Sequence, residues 1–369
     1  KDLNIELNEL YINSILLLMF FDASANHASA LSSFNTASWI FNNGGHVPIV
    51  FICEDNGTGI SVPTDSNWIE KSFSSRYGIK YLSTDGLNIL DLILKAKKVE
   101  KDCRLNRRPI FLHMKTVRLM GHAGSDIELG YKSLSEIENT EINDPLLHSA
   151  RIILENKLLS KSEILNLYES LRKQVSYVFE AATLRPKLET ASEVMSSIVK
   201  SNKKNKAPKI ASEKSRRSVF KKEFKRLDIP QHMAKLINYA LIDILNRYDN
   251  TLIFGEDVAQ KGGVYNVTSE LFNIYGPRRI FNSPLDETSI IGFGMGFAHN
   301  GFIPIPEIQF LAYFHNAEDQ LRGEAATLAF FSNGQFSNPM VLRVPGLAYQ
   351  KGFGGHFHND NSLSVFRDI

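Results

Sequence analysis

The amino-acid sequence reads as two α/β domains with parallel sheets and helices on both faces, joined by a basic linker. Short continuous apolar runs appear where strands buried on both faces would lie. Segments with helical spacing separate those runs, and a charged stretch poor in apolar residues divides the chain past its middle. The first run, Ser14 to Phe21, is followed by helix-like spacing of Ala, Leu, Phe and Trp from Asn26 to Phe41. A second run, Val47 to Cys53, completes a strand–helix–strand unit of about 30 residues or a little more. A further strand is expected over Pro109 to Val117. Two helices follow. One starts at Asp144-Pro145, a capping Asp and a first-turn Pro, and the other at the capping box Ser160-Lys-Ser-Glu163. The second carries Ile164, Leu167, Tyr168, Leu171, Val175 and Val178 on one stripe.

Past the linker the logic repeats. Helices are expected over Pro230–Tyr248, Thr288–Asn300 and the Ala-rich Asn316–Phe331. Strands are expected over Thr251–Phe254, Phe302–Ile308 and Pro339–Val344. The domain boundaries read as 1–193, a linker over 194–227, and 228–369. The linker rests on charge: between Lys200 and Arg226 there are 12 Lys/Arg against Glu213 and Glu223, in a chain whose net charge is +2. Such a run is mostly solvated, and aromatic interleaving of the kind that stacks on bases is nearly absent, so a nucleic-acid partner is not expected. No apolar run approaches the roughly 20 residues of a membrane span, so no membrane partner is expected. With two cysteines, Cys53 and Cys103, a reducing compartment is the default, and a cytoplasmic location is expected.

Chemistry concentrates at the ends of the apolar runs, where open parallel sheets bind ligands. Asp22-Ala-Ser-Ala-Asn26 follows one strand and Glu54-Asp-Asn-Gly-Thr58 follows the next, which presents Asp22 and Asn56 at one edge. A few hard oxygen donors with room for phosphate oxygens suit Mg²⁺ bound with a diphosphate. Taken singly, both residues are also ordinary caps. An EF-hand is excluded, since a loop starting at Asp22 has His27 at its sixth position and Ser33 at its twelfth. Gly292-Phe-Gly-Met-Gly296 lacks the dinucleotide pattern and fits close helix packing instead.

These motifs resemble the thiamine-diphosphate-dependent 2-oxo acid dehydrogenases of the branched-chain and pyruvate type. Asp22-Ala-Ser with Glu54-Asp-Asn-Gly is similar to the family's acidic turn followed some 30 residues later by an Asn pair. Ile60-Ser-Val-Pro-Thr64 and Arg118-Leu-Met-Gly-His122-Ala-Gly-Ser-Asp126 resemble the rest of the α half. Gly255-Glu-Asp-Val258, Pro284-Leu-Asp-Glu287, Glu307-Ile-Gln-Phe-Leu-Ala-Tyr313 and Gly352-Phe-Gly-Gly-His-Phe-His358 resemble the β half, in the α-then-β order of a fused enzyme. The resemblance implies two domains of the thiamine-diphosphate-binding type, the second a transketolase-like pyrimidine-binding domain. It further implies Mg²⁺ on Asp22, Asn56 and the Thr58 carbonyl, with Ser24, Ile60, His122, Leu285, Glu287, Gln309 and Tyr313 about the cofactor. Glu287, His122 and His358 would be catalytic, with His356 as the neighbour that could replace His358.

The implied activity is oxidative decarboxylation of a branched-chain 2-oxo acid or pyruvate, with acyl transfer to the lipoyl group of the acyltransferase partner. A homodimer resembling the family's heterotetramer is expected. Three differences stand out. Phe21 occupies the position of a motif Gly, and the spacing between the motif halves is some residues longer than usual, which Asn42-Asn-Gly-Gly45 could absorb as a loop. Ala123 occupies the position of a regulatory phosphoserine, which implies that such control is absent. A fragment that keeps the fold without turnover, and a transketolase-like enzyme, are the alternative readings.

Overall fold

The structure is a computed structural model that describes residues 13–196, 211–347, 355, 358–367 and 369. Residues 13–187 form one unit and the described residues from Leu188 another, each with its own sheet and core. In chain order the first unit runs β1 (Leu16–Phe21), a 3-10 turn (Asp22–Asn26), α1 (Ala28–Asn42), β2 (Ile49–Asp55), β3 (Thr58–Gly59) and β4 (Val62–Pro63). It continues with α2 (Trp68–Phe73), β5 (Lys80–Asp85), α3 (Ile89–Asn106), β6 (Ile110–Lys115), α4 (Leu134–Ile142), α5 (Pro145–Glu155) and α6 (Lys161–Thr183). The second unit holds α7 (Ala191–Met195), α8 (Glu213–Phe220), α9 (Met233–Arg247), β7 (Thr251–Gly255), α10 (Leu271–Tyr275), β8 (Ile280–Asn282), α11 (Glu287–His299), β9 (Ile303–Glu307), α12 (Leu311–Phe314) and α13 (Leu328–Phe331).

In the first unit the sheet order is β1-β2-β6-β5, all parallel, so every strand delivers its carboxyl end to one edge. One face is covered by α1 and α2, where Phe34, Phe51, Phe73 and Phe111 interlock. The other is covered by α3, through Val99 and Cys103 against Val50, Ile110 and Leu112. The expected caps form: Asp144 accepts the Leu146 N–H, and Ser160 with Glu163 makes the reciprocal capping box. In the second unit the order is β8-β7-β9, again parallel. α9 packs its Leu245 on one face, and α11 its Ile290 and Ile291 on the other. No helix among the described residues is long and apolar enough to cross a membrane.

Five expectations need correction. β1 reads as doubly buried, yet most of its side chains are exposed, because it lies at the sheet edge and pairs only with β2. The α6 stripe likewise stays exposed from Leu167 to Val178. The basic run is not linker throughout: Glu213–Phe220 is helical and a 3-10 turn follows over Lys221–Arg226. Phe220 is buried against Tyr239, and Arg216 makes a two-pronged pair with Asp243, so apolar and charged anchors fold this stretch onto α9. Finally, Pro339–Val344 is no regular strand. Val341 and Arg343 donate to the Pro304 and Pro306 carbonyls, but those prolines have no N–H to return, and only an isolated bridge between Glu307 and Arg343 remains. The expected helix over Asn316–Phe331 is broken into 3-10, π and α turns.

Candidate active site

At the carboxyl edge of the first sheet, Asp22 starts the 3-10 turn after β1 and is fully buried. Its carboxylate accepts the Thr64 hydroxyl at 2.5 Å and the Asn56 N–H at 3.4 Å. A buried anion without a full partner charge is costly unless every lone pair is used, and two donors leave acceptor capacity over. The loop after β2 is wound tightly: Asp55 accepts the Gly57 N–H at 3.1 Å, and the Asn56 amide oxygen accepts the Thr58 N–H at 3.1 Å. Asp22 and Asn56, 34 residues apart in sequence, are thus neighbours, with Thr58 one turn on. Among the described residues no three His, Cys, Asp or Glu side chains converge on a metal position. A cation here would rest on one carboxylate and neutral oxygens, which fits a hard ion that keeps oxygen ligands from a phosphate group.

Beside this edge lies a cavity of about 1170 Å³ lined by Phe21, Ser24, Asn56, Thr58, Ile60 and His122, among others. Phe21 carries the motif departure, yet its backbone is extended (φ −85°, ψ 159°), a conformation open to any residue, and its half-exposed ring lies along the cavity wall. The position therefore does not demand glycine for its backbone. Ile60 is the reverse case. It holds φ +56°, a left-handed conformation unfavourable for a β-branched side chain, while 62% exposed. Strain of this kind persists where the surroundings over-determine it, and it clusters at ligand sites. The exposed His122 is set by its own backbone: its N–H donates to Asp126 at 2.6 Å, and Asp126 also accepts the Tyr131 hydroxyl. Those two bonds, Tyr131 first, hold the Asp126 carboxyl below its usual range. Arg118 donates to the Tyr131 oxygen at 3.0 Å, which ties the loop back to its start.

The second unit gathers a different set. Glu287 opens α11, buried, and Asn316 reaches its carboxylate at 3.5 Å. Leu285 is exposed two residues before. Gln309 donates to Asp257 at 3.5 Å, and the Tyr313 hydroxyl meets His358 Nε2 at 3.1 Å, with Phe310 edge-on to that ring. His356 lies outside the described residues. Gly255 ends β7 where a side chain would collide with the Glu307 backbone, so the chain can turn toward Glu256 only with glycine there.

Sequence reasoning missed three groups. Glu256 is pushed up to about 7, by burial first and then by the Glu287, Asp257 and Asp286 carboxylates. Its acidic company was visible in the sequence; its burial was not. Arg343 pairs with the buried Glu307, and His113 pairs with Asp55, each across a long sequence separation. Glu256 carries a stability consequence. A carboxyl raised when folded contributes stability that is whole below its unfolded value near 4.5 and is lost as pH rises through about 7. Glu256→Gln is therefore expected to unfold later than the wild type at pH 8, by an amount on the order of 1–2 kcal/mol after solvent screening, and to match it near pH 4.5. Melting curves of both proteins across that range check this; profiles that stay parallel would contradict it.

Comparison with known proteins bears on both halves. Residues 12–191 match the model of the dehydrogenase E1 component, and residues 230–350 match the transketolase pyrimidine-binding domain. The first segment is thus similar to dehydrogenase E1 components and the second to the transketolase pyrimidine-binding domain. Among curated relatives, the 3-methyl-2-oxobutanoate dehydrogenase subunit beta of Mycobacterium tuberculosis is 38% identical over 134 residues, covering 36% of this chain and 38% of the relative. The 2-oxoisovalerate dehydrogenase subunit beta of Pseudomonas aeruginosa is 36% identical over 140 residues, covering 37% and 39%. The pyruvate dehydrogenase E1 component subunit beta of Staphylococcus epidermidis is 40% identical over 126 residues, covering 34% and 37%. The chain thus spans under two fifths of the length of these relatives.

Proposed function

We propose that this chain is a 2-oxo acid dehydrogenase component that decarboxylates a branched-chain 2-oxo acid or pyruvate and passes the acyl group to a lipoyl-bearing acyltransferase partner, as a fused α-then-β form that dimerises. The observation that carries this reading is the buried Asp22 carboxylate beside Asn56 at the edge of a parallel sheet, above a cavity large enough for a cofactor. Asp22, the Asn56 amide oxygen and the Thr58 carbonyl would hold Mg²⁺ with the diphosphate of thiamine diphosphate. When bound, the thiazolium ring supplies the electron sink for the charge left as carbon dioxide departs.

The protein's own residues bind and orient. Ser24 and Ile60 would flank the cofactor in the first unit, and Leu285, Gln309 and Tyr313 in the second. Glu287, buried at the start of α11, would accept a hydrogen bond at the pyrimidine ring or share its proton there. His122 and His358 would steer the substrate and carry protons. The Tyr313 hydroxyl fixes the ring of His358 through Nε2.

Isothermal titration of the full chain with thiamine diphosphate, with and without Mg²⁺, tests the reading. Metal-dependent binding is expected in the wild type. Asp22→Ala should weaken it by more than the ~10–100-fold that outer-shell partners alone are worth. A folded wild-type chain that binds nothing would overturn the proposed activity.

A further inference from the structure

Three strands of the first unit contribute to a buried polar chain that the reading above does not use. His113, fully buried in the middle of β6, places Nε2 2.7 Å from Asp55 Oδ2 at the end of β2, and Nδ1 2.7 Å from the Tyr81 hydroxyl on β5. The roles follow from chemistry. A carboxylate only accepts, so Nε2 carries the proton, and in the neutral ring Nδ1 then accepts the Tyr81 O–H. Burial pushes the Tyr81 phenol up to about 12, so it remains a donor. Every polar atom of the imidazole is satisfied, in an interior where an unsatisfied one is expensive.

The far end of this chain is the candidate metal loop. Asp55 uses Oδ2 for His113 and Oδ1 for the Gly57 N–H at 3.1 Å, while its own carbonyl accepts the Thr116 N–H at 2.8 Å. Gly57 holds φ +74° and its carbonyl accepts the Thr64 N–H at 3.0 Å, so this peptide also sets where Thr64 offers its hydroxyl to Asp22. Rotation of the Asp55 carboxylate would release the Gly57 N–H, and the Asn56–Thr58 turn with it. His113 is what prevents that rotation.

We propose that His113, backed by Tyr81, is a positioning residue that orients Asp55 and thereby holds Asn56 and Thr58 in place to bind the cation and diphosphate. The inference rests on the proposed cofactor site, with His113 acting through Asp55 and never on the ligand itself. His113→Leu fills similar volume but removes both hydrogen bonds, and His113→Gln can still donate to Asp55. At a fixed thiamine diphosphate concentration, His113→Leu is expected to raise the Mg²⁺ needed for half-saturation by roughly 10–100-fold, the range for outer-shell partners of a metal site. His113→Gln should recover most of that loss, and Tyr81→Phe should fall between.

A ligand-free readout separates this claim from the cofactor reading. By mass spectrometry, hydrogen exchange of the segment carrying Gly57 and Thr58 should quicken at least about tenfold in His113→Leu relative to the neighbouring strands, and return toward wild type in His113→Gln. If the wild type binds no cofactor, the proposed function fails while the exchange result still decides what His113 holds. Unchanged exchange in a folded His113→Leu, wild-type affinity in that variant, or a Gln variant no better than Leu would each overturn the positioning role.

Discussion

Arg343→Leu is expected to destabilise the second unit by about 3–5 kcal/mol, the cost of leaving a buried charge without its partner. Glu307 ends β9 with no exposed surface, and Arg343 grips its Oε2 through Nε at 2.9 Å and through a second guanidinium nitrogen. Burial pushes the Glu307 carboxyl up, and Arg343 opposes that push. With the guanidinium gone, only the Val264 N–H still opposes the upward push, so Glu307 must take a proton or stay charged without a partner charge. The sign is therefore fixed: the loss should be smaller at pH 5 and grow as pH rises toward 8. Adding Glu307→Gln to the variant removes the charge and should recover part of the loss at pH 8. Denaturant unfolding at the two pH values measures this. A loss below 1 kcal/mol, equal at both pH values, would mean that the pair behaves as a solvated surface bridge.

Phe34→Ala is expected to cost the first unit about 3–5 kcal/mol, the usual toll for emptying an aromatic site in a core. The Phe34 ring lies 4.8 Å from Phe51, 5.1 Å from Phe73, 5.6 Å from Phe20 and 5.8 Å from Phe111, with the Arg76 guanidinium 5.6 Å from its centroid. These rings meet largely edge to face, a geometry that adds to simple burial. Phe34 fastens α1 to the sheet, and α1 follows directly on the turn that carries Asp22 and Ser24. The variant should therefore lose thiamine diphosphate affinity along with stability. Phe34→Leu, which keeps most of the volume, should cost much less. An alanine variant within 1 kcal/mol of the wild type would show that the ring cluster collapses around the void.

Much of this molecule is written locally. Asp144-Pro145 and Ser160-Lys-Ser-Glu163 start their helices where the sequence places them, because caps act within one turn of chain. The runs that become β2, β6, β7 and β9 are legible for a similar reason, since a strand shielded by helices is apolar throughout. The placing of Asp22 against Asn56 was also within reach, because both follow apolar runs and parallel strands must end at one edge. The roles proposed for Glu287, His122 and His358 come from resemblance.

Other features depend on which segments meet, and no window of sequence contains that. β1 is as apolar as β2, yet it is exposed because it took the edge position. The basic run from Glu213 has the composition of a linker, yet Phe220 found a place against Tyr239 and drew the helix down with it. His113 looks like one apolar-strand residue among several until Asp55 and Tyr81 arrive from two other strands, 58 and 32 residues away. Glu307 and Arg343 are joined across 36 residues, past two prolines that stop the intervening ladder from becoming a strand. Caps and apolar periodicity act over one turn of chain, so the sequence alone determined the elements that carry those signals, and not the Glu213–Phe220 helix or the broken segment over Asn316–Phe331. Burial, charge pairing and the orientation of buried polar groups depend on neighbours that only the folded chain supplies, and these the tertiary structure decided.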